Sequence, residues 1–366
     1  MSTIRTSRVA MCAGDDRSNN VRAALEHLGD VPLQGVERVL VKPNFVSLHR
    51  PLSATHPDAV DALLAWLRDR FTGEVQLIEG GAGHPRLAGF QAYGYVELAK
   101  RYGASLEEIG EGRPRALAVY DRRMRAQQVF ADERMVDSVF TVSITPPKMH
   151  DTVIYTASLK NLIMGSLLAG NVCVARQVRR RLRQAACVAW DSTWPLFIAS
   201  LPDRLKNTRF FCNLDFALIQ MFRETDSRLA MHQSFAVMHL NLCLLARCLR
   251  PHLSVLDAFE VMEGNGPIDG NPARMRTALA STDCLAADAC GARLMGVDPG
   301  EVGYLRHCAR LGLGRIAAEE IELVGTEALP VPERSLRRHC TYDQQLRWRD
   351  PRVEAILAGV GDGQGT

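Results

Sequence analysis

Short apolar runs alternate along the chain with stretches whose apolar positions recur at three- and four-residue spacing. Residues 36–41 read as a strand. Across 57–70 the apolar residues at 60, 63, 64 and 67 mark one face of an amphipathic helix. Residues 75–78 form a second strand, ending in the loop Glu79-Gly80-Gly81-Ala82-Gly83, and 91–102 read as a helix. A third strand at 136–144 leads into Thr145-Pro146-Pro147-Lys148. Beyond a long helical region, 253–256 read as a fourth strand feeding the loop Met262-Glu263-Gly264-Asn265-Gly266-Pro267. A fifth strand at 278–281 precedes a helix over 284–295, and 321–324 close the pattern.

Strand–helix–strand repetition predicts an α/β protein: a mostly parallel sheet with helices on both faces and a helical insertion. The core is expected to combine residues 1–169 and 251–330, with 170–250 as a helical insertion or subdomain. Residues 331–366 form a C-terminal extension whose Gly-rich end, from Gly359, is expected to be disordered.

Composition narrows the function classes. The 366 residues are 47% apolar and 23% charged, an ordinary globular balance able to bury a sizeable core. A net charge of +3, without basic runs beside aromatic positions, argues against nucleic acid as a partner. The densest basic stretch, 176–183, alternates with Val and Leu and reads as a solvated helix face. No run approaches the ~18 apolar residues of a membrane span, and the nearest, 235–249, contains His239, Asn241 and Arg247. Residues 1–5 lack a signal-peptide layout, so the expected compartment is the cytoplasm. The ten cysteines include no C-x-x-C pair: Cys243 and Cys248 are five apart, Cys284 and Cys290 six. That spacing supports neither an iron–sulfur nor a structural zinc site, and suits buried thiols in a reducing compartment.

In open parallel sheets ligands bind beyond the carboxyl ends of the strands, and the unusual polar residues fall there repeatedly. Lys42 and Asn44 follow the first strand, and Glu79, Gly80 and Gly81 the second. Lys148 and His150 follow the third, Asp257 and then Glu263, Gly264, Asn265 and Gly266 the fourth, and Asp283 the fifth. The lysines sharpen the expectation. Only Lys42, Lys100, Lys148, Lys160 and Lys206 stand among 44 basic residues, the other 39 being arginine. Lysine is a compact donor that loses its proton when desolvated and can then act as base, acid or nucleophile. Lys148 and His150 are the expected acid/base pair, with Lys160 and Glu263 as further catalytic residues. Lys42, Asn44, His56, Glu79, Gly80, Gly81, Asn161, Asp257, Gly264, Asn265 and Gly266 are expected to bind substrate. Glu79, Asp257, Glu263, Asp283 and Asp288 leave a divalent metal open, although Asp283 reads equally well as a helix cap. The glycine loops offer backbone N–H groups to an anion. Neither is a Walker loop or a G-x-G-x-x-G before a helix, so no cofactor is encoded by a recognisable motif.

These residues resemble one family. Val41-Lys42-Pro43-Asn44, Thr55-His56-Pro57, Gly94-Tyr95, Pro147-Lys148 with His150, and Ser158-Leu159-Lys160-Asn161 to Gly165 carry the likeness. So do Leu256-Asp257 leading to 262–267, Asp283 with Ala287-Asp288, Leu294-Met295-Gly296, and Gly312-Leu313-Gly314. Together, in consistent order from about 36 to 325, they resemble the uncharacterised domain family numbered 362. Many members carry a ferredoxin-like iron–sulfur module, whose cysteines are missing here. The family's Lys-x-Lys-x-His motif stands here as Pro146-Pro147-Lys148-Met149-His150, with one cation beside the histidine. The Arg-rich helical stretch between Gly165 and His232 is longer than usual, leaving a reshaped pocket or a homodimer contact open. The resemblance implies no function. The residues themselves favour a small-molecule enzyme performing proton transfer, as in isomerisation, cyclisation or elimination, on an anionic or carbonyl-bearing metabolite, with a biosynthetic role open. The alternatives are a redox accessory or cofactor carrier of an iron–sulfur system, and a non-catalytic ligand-binding protein.

Overall fold

The computed structural model describes residues 6–80, 87–136, 140–168, 208–222, 227–326 and 334–361, with isolated positions 202, 205 and 329. One sheet organises them. Its strands include β1 (Ser7–Ala13), β2 (Arg38–Lys42), β3 (Glu74–Glu79), β4 (Ser105–Glu108) and β7 (Phe140–Thr145). The sheet is completed by β10 (Leu253–Glu263), β11 (Asn271–Ser281) and β12 (Ile321–Val324), in the order β12-β1-β11-β10-β7-β2-β3-β4. Every neighbouring pair along that path is parallel except the two made by β11. Two further strands, β5 (Pro114–Tyr120) and β6 (Ala126–Asp132), form a separate hairpin.

The strands bury both faces, so their sequences run nearly continuously apolar. One face carries α1 (Arg17–Leu28), α2 (Pro57–Arg68) and α3 (Tyr95–Tyr102), packed on Ala10, Val39, Val41, Val255 and Ala280. In α2 the expected stripe is buried as Val60, Leu63, Leu64 and Leu67, each contributing about 1.5–3 kcal/mol. The opposite face carries α4 (Ser158–Ser166), α5 (Phe235–Leu245), α6 (Cys284–Leu294) and α7 (Gly303–Arg310), over Val9, Leu40, Leu256 and Leu279. The α/β class, with helices on both faces, is as the sequence predicts.

Several local expectations change. The helix expected over 91–102 is interrupted at Gly94, whose φ of 74° is left-handed, and only 95–102 continues as α3. The strand expected from 136 starts at Phe140, because Glu133–Val136 is helical. The fourth and fifth strands are far longer than the apolar pattern shows, β10 and β11 each spanning 11 residues. β7 pairs only Leu253–Leu256 of β10, so the β10–β11 hairpin overhangs the sheet. The short β8 (Lys148–His150) docks on that overhang opposite Met262 and pairs back with β9 (Ile154–Thr156).

Within the described part of 170–250, helices run at Arg209–Phe222, Ser227–Met231 and α5. The basic stretch 176–183 lies outside the described residues. Of the end expected to be disordered from Gly359, residues 359–361 continue the helix Pro351–Gly361, and 362–366 lie outside the described residues. The thiols are more varied than predicted: Cys243, Cys284, Cys290 and Cys308 are buried, Cys12, Cys212 and Cys340 partly so, and Cys248 exposed. Among the described residues no helix is long and apolar enough to cross a membrane.

Candidate active site

The carboxyl ends of β2 and β3, the β8 segment and the first turn of α4 meet at one place. Lys42 ends β2 and is fully buried; its Nζ pairs with Glu79 at the end of β3 and donates to the carbonyl of Pro43 (3.0 Å). Glu79 also accepts from the backbone N–H groups of Phe45 and Gly80, both at 3.0 Å. Burial lowers the pKa of Lys42, with Glu79 acting against it.

Lys148 is 2% exposed. Its Nζ donates to Asn44 Oδ1 (2.5 Å) and to the carbonyl of Ser53 (2.7 Å). Burial, reinforced by the charge of Lys160, brings its pKa from 10.5 down to about 7. A neutral amine has two N–H bonds and one lone pair. The two acceptors match those two bonds and leave the lone pair free to take a proton. Asn44 Nδ2 donates to Asn161 Oδ1 (2.7 Å), and Asn161 Nδ2 donates to Ser143 Oγ (3.0 Å). Both asparagines thereby tie the Lys42, Lys148 and Lys160 segments together.

Lys160 Nζ lies 2.8 Å from His150 Nε2. Burial lowers Lys160 from 10.5 to about 8, and burial plus the Lys160 charge lower His150 to about 3. The imidazole is therefore neutral across the physiological range and has one N–H to place. Its Nδ1 faces Asp151 Oδ1 at 2.8 Å and the N–H of Thr152 at 3.0 Å. When Lys160 is an ammonium it donates to Nε2, and Nδ1–H donates to Asp151. When Lys160 is an amine it accepts from Nε2–H, and Nδ1 accepts from Thr152. Each protonation state of Lys160 thus has its own matching tautomer.

α4 is held at its amino end from outside its own sequence. Asp288, fully buried in α6, accepts from the N–H groups of Ser158 (2.8 Å) and Leu159 (3.1 Å). These are two of the donors a helix start leaves unsatisfied. Burial raises Asp288 from 3.8 to about 7. Gly165, at the other end of α4, has no room for a Cβ, which would overlap Lys42 Cε and Nζ.

The remaining predicted residues fall elsewhere. Glu263 reaches the rim, but its carboxylate is gripped by the Arg334 guanidinium (2.7 Å to each oxygen) and the Arg337 N–H (2.8 Å). Asn265 accepts from the N–H of Cys340 (3.0 Å), and the Gly264 N–H donates to Arg337 O (2.7 Å). Gly266 lies so close to the Met149 carbonyl that a Cβ would overlap it. The predicted 262–267 loop therefore docks the C-terminal extension onto β8. Asp257 pairs with Arg17 (3.2 Å), and burial raises its pKa to about 6. His56 is a helix cap, its Nδ1 accepting from the N–H of Asp58 (3.2 Å). Gly81 lies outside the described residues. Asp283 corrects an expectation: β11 is antiparallel, so its end reaches the opposite edge of the sheet. There Asp283 caps α6 through Leu285 and Ala286, the bland reading of that residue.

Sequence reasoning missed Ser143, Asp151, Arg334, Arg337 and Gln345, whose Nε2 donates to the carbonyl of His150 (2.9 Å). Asp151 alone carried a signal, standing directly after His150.

Fold and site together define an α/β protein with a buried lysine cluster at the carboxyl rim of a parallel sheet. Residues 39–293 match the family described as Domain of unknown function (DUF362), and the chain belongs to that family. It is similar to the thylakoid-associated protein sll1697 of Synechocystis, at 23% identity over 314 residues, covering 82% of this chain and 76% of that protein. Among solved structures it resembles the lactate racemase apoprotein of Thermoanaerobacterium thermosaccharolyticum, with 10% identity and a TM-score of 0.43. That likeness covers 81% of this chain and 58% of the other, and carries no functional weight.

Proposed function

We propose that the protein is an enzyme that moves a proton on a small anionic or carbonyl-bearing metabolite, as in isomerisation, cyclisation or elimination. The observation that carries this reading is the pair of buried lysines at about 7 and about 8, one with a free lone pair and one against a neutral histidine. Groups with pKa values near the working pH are the effective proton carriers. Lys148, as the amine, takes the proton from a carbon beside the carbonyl, and the electron pair of the C–H bond moves to the carbonyl oxygen. Lys160, held as the ammonium against His150 Nε2, donates to that oxygen and is left as the amine. Lys42, Asn44 and Asn161 hold the anionic end and fix its orientation. Glu263 is reassigned from base to anchor, since both its oxygens are bound by arginine.

The test needs no prior substrate. Pools of small carboxylates and keto acids are incubated with the protein in D2O, and deuterium uptake at carbon is read by mass spectrometry. Uptake that disappears in Lys148→Met supports the reading. Saturable binding of the same compounds without any exchange overturns it in favour of a non-catalytic binding protein. Adduct formation on borohydride reduction would instead assign Lys148 or Lys160 a covalent role.

A further inference from the structure

A second cluster lies where the C-terminal extension meets the helix Arg209–Phe222. Cys212 Sγ and Cys340 Sγ are 3.4 Å apart, and Cys340 Sγ is 3.9 Å from His339 Nδ1. One ligand atom from each of Cys212, His339 and Cys340 lies within 4.8 Å of the others. We propose that these three side chains bind a thiophilic divalent ion of the zinc class. This goes beyond the proton-transfer reading and does not rest on it.

The spacing favours an ion over a sulfur–sulfur bond. A disulfide needs about 2.05 Å between sulfurs. Two thiolates about 2.3 Å from one tetrahedral ion stand about 3.8 Å apart, close to what is seen. Two thiolates and an imidazole suit zinc and disfavour magnesium or calcium, which take oxygen ligands. The ligands are also held in place. His339 is 4% exposed; its Nδ1 accepts the Thr341 N–H (3.1 Å) and lies 2.8 Å from Thr341 Oγ1, which leaves Nε2 to bind an ion, and the Cys340 N–H donates to Asn265. Across the junction Arg209 donates to the Cys340 carbonyl (2.9 Å) and pairs with Asp343 (3.1 Å), so the two backbones are registered. Three protein ligands leave the fourth position to water, as in open zinc sites.

The site would clamp residues 334–345 to the helix. That segment grips Glu263 through Arg334 and reaches the carbonyls of Asp151 and His150 through Thr341 and Gln345. Occupancy is thus coupled to the support of the His150 segment.

The test uses reduced, metal-free, untagged full-length protein titrated with Co2+ and then Zn2+. One ion per chain, with a thiolate-to-cobalt charge-transfer band that Zn2+ abolishes, is expected. Cys212→Ser and Cys340→Ser should each lose the band, and His339→Ala should weaken binding at least tenfold. As a check independent of variant folding, Zn2+ should protect Cys212 and Cys340 of the unaltered protein from alkylation, mapped by mass spectrometry, while exposed Cys248 still reacts. No band and no protection overturns the proposal. So does a Cys212–Cys340 disulfide forming on mild oxidation in a protein that takes up no ion when reduced.

Discussion

Lys148→Met tests the heart of the site, because it keeps an unbranched side chain, one atom shorter, and removes the charge. The native lysine sits at about 7 rather than 10.5. At about 1.4 kcal/mol per pKa unit, holding it protonated in the fold costs about 4–5 kcal/mol at pH 7 and below. Methionine removes that cost but leaves Asn44 Oδ1 and the Ser53 carbonyl without their donor. Those orphaned acceptors cost about 1–3 kcal/mol each, so the net change at pH 7 is small and its sign does not discriminate. The pH dependence does. Between the folded and unfolded pKa values the unfolded chain binds more protons, so native stability rises with pH through this window. The lysine penalty is complete below pH 7 and shrinks steadily toward pH 10.5. From pH 7 to pH 9 the native protein should therefore gain about 2 kcal/mol relative to Lys148→Met. Urea unfolding of both proteins at pH 7, 8 and 9 measures the difference. The carbon resonances of only five lysines can be followed directly, with exposed Lys100 as internal control. Parallel stability curves, or a Lys148 resonance that titrates above pH 10, would refute the reasoning and with it the base assigned to this residue.

Gly165→Ala should destabilise the protein by about 1–3 kcal/mol through overpacking against Lys42, although Gly→Ala in an ordinary helix stabilises by up to ~1 kcal/mol. Thermal unfolding gives the sign, and a stabilised variant would show that Lys42 has room to move. Asp288→Ala should cost about 2–4 kcal/mol by stripping two amides of their acceptor. Hydrogen exchange at Ser158 and Leu159 should accelerate, and unchanged exchange would deny Asp288 its capping role. Asp288 is raised to about 7, so the folded state binds the extra proton between pH 4 and 7 and its contribution falls as pH rises through that range. Asp288→Asn should flatten that slope in unfolding experiments. Glu263→Ala should expose residues 334–345 to limited proteolysis more than Arg334→Ala does, since Arg337 still holds Glu263 in the latter. Equal cleavage of both variants would point to an anchor elsewhere.

What could be read in the sequence were features whose cause is local. Apolar spacing fixed α2, the presence of strands near 36–41, 75–78 and 253–256, and the α/β class, because burial selects period and run length within one element. Lysine scarcity singled out Lys42, Lys148 and Lys160, since a desolvated amine has chemistry that arginine lacks. Whether a strand end reaches the rim depends on its direction, which comes from pairing with distant strands. Asp283, at the end of an antiparallel strand, therefore sits at the far edge, and Glu263 meets arginines more than seventy residues away. The low pKa values of Lys148 and Lys160 are likewise tertiary. Each is set by burial, and for Lys148 also by the nearby Lys160 charge, and only the assembled sheet and α4 bring those segments together. The sequence determined which groups are available; the fold decided which of them are desolvated, paired or left with a lone pair to use.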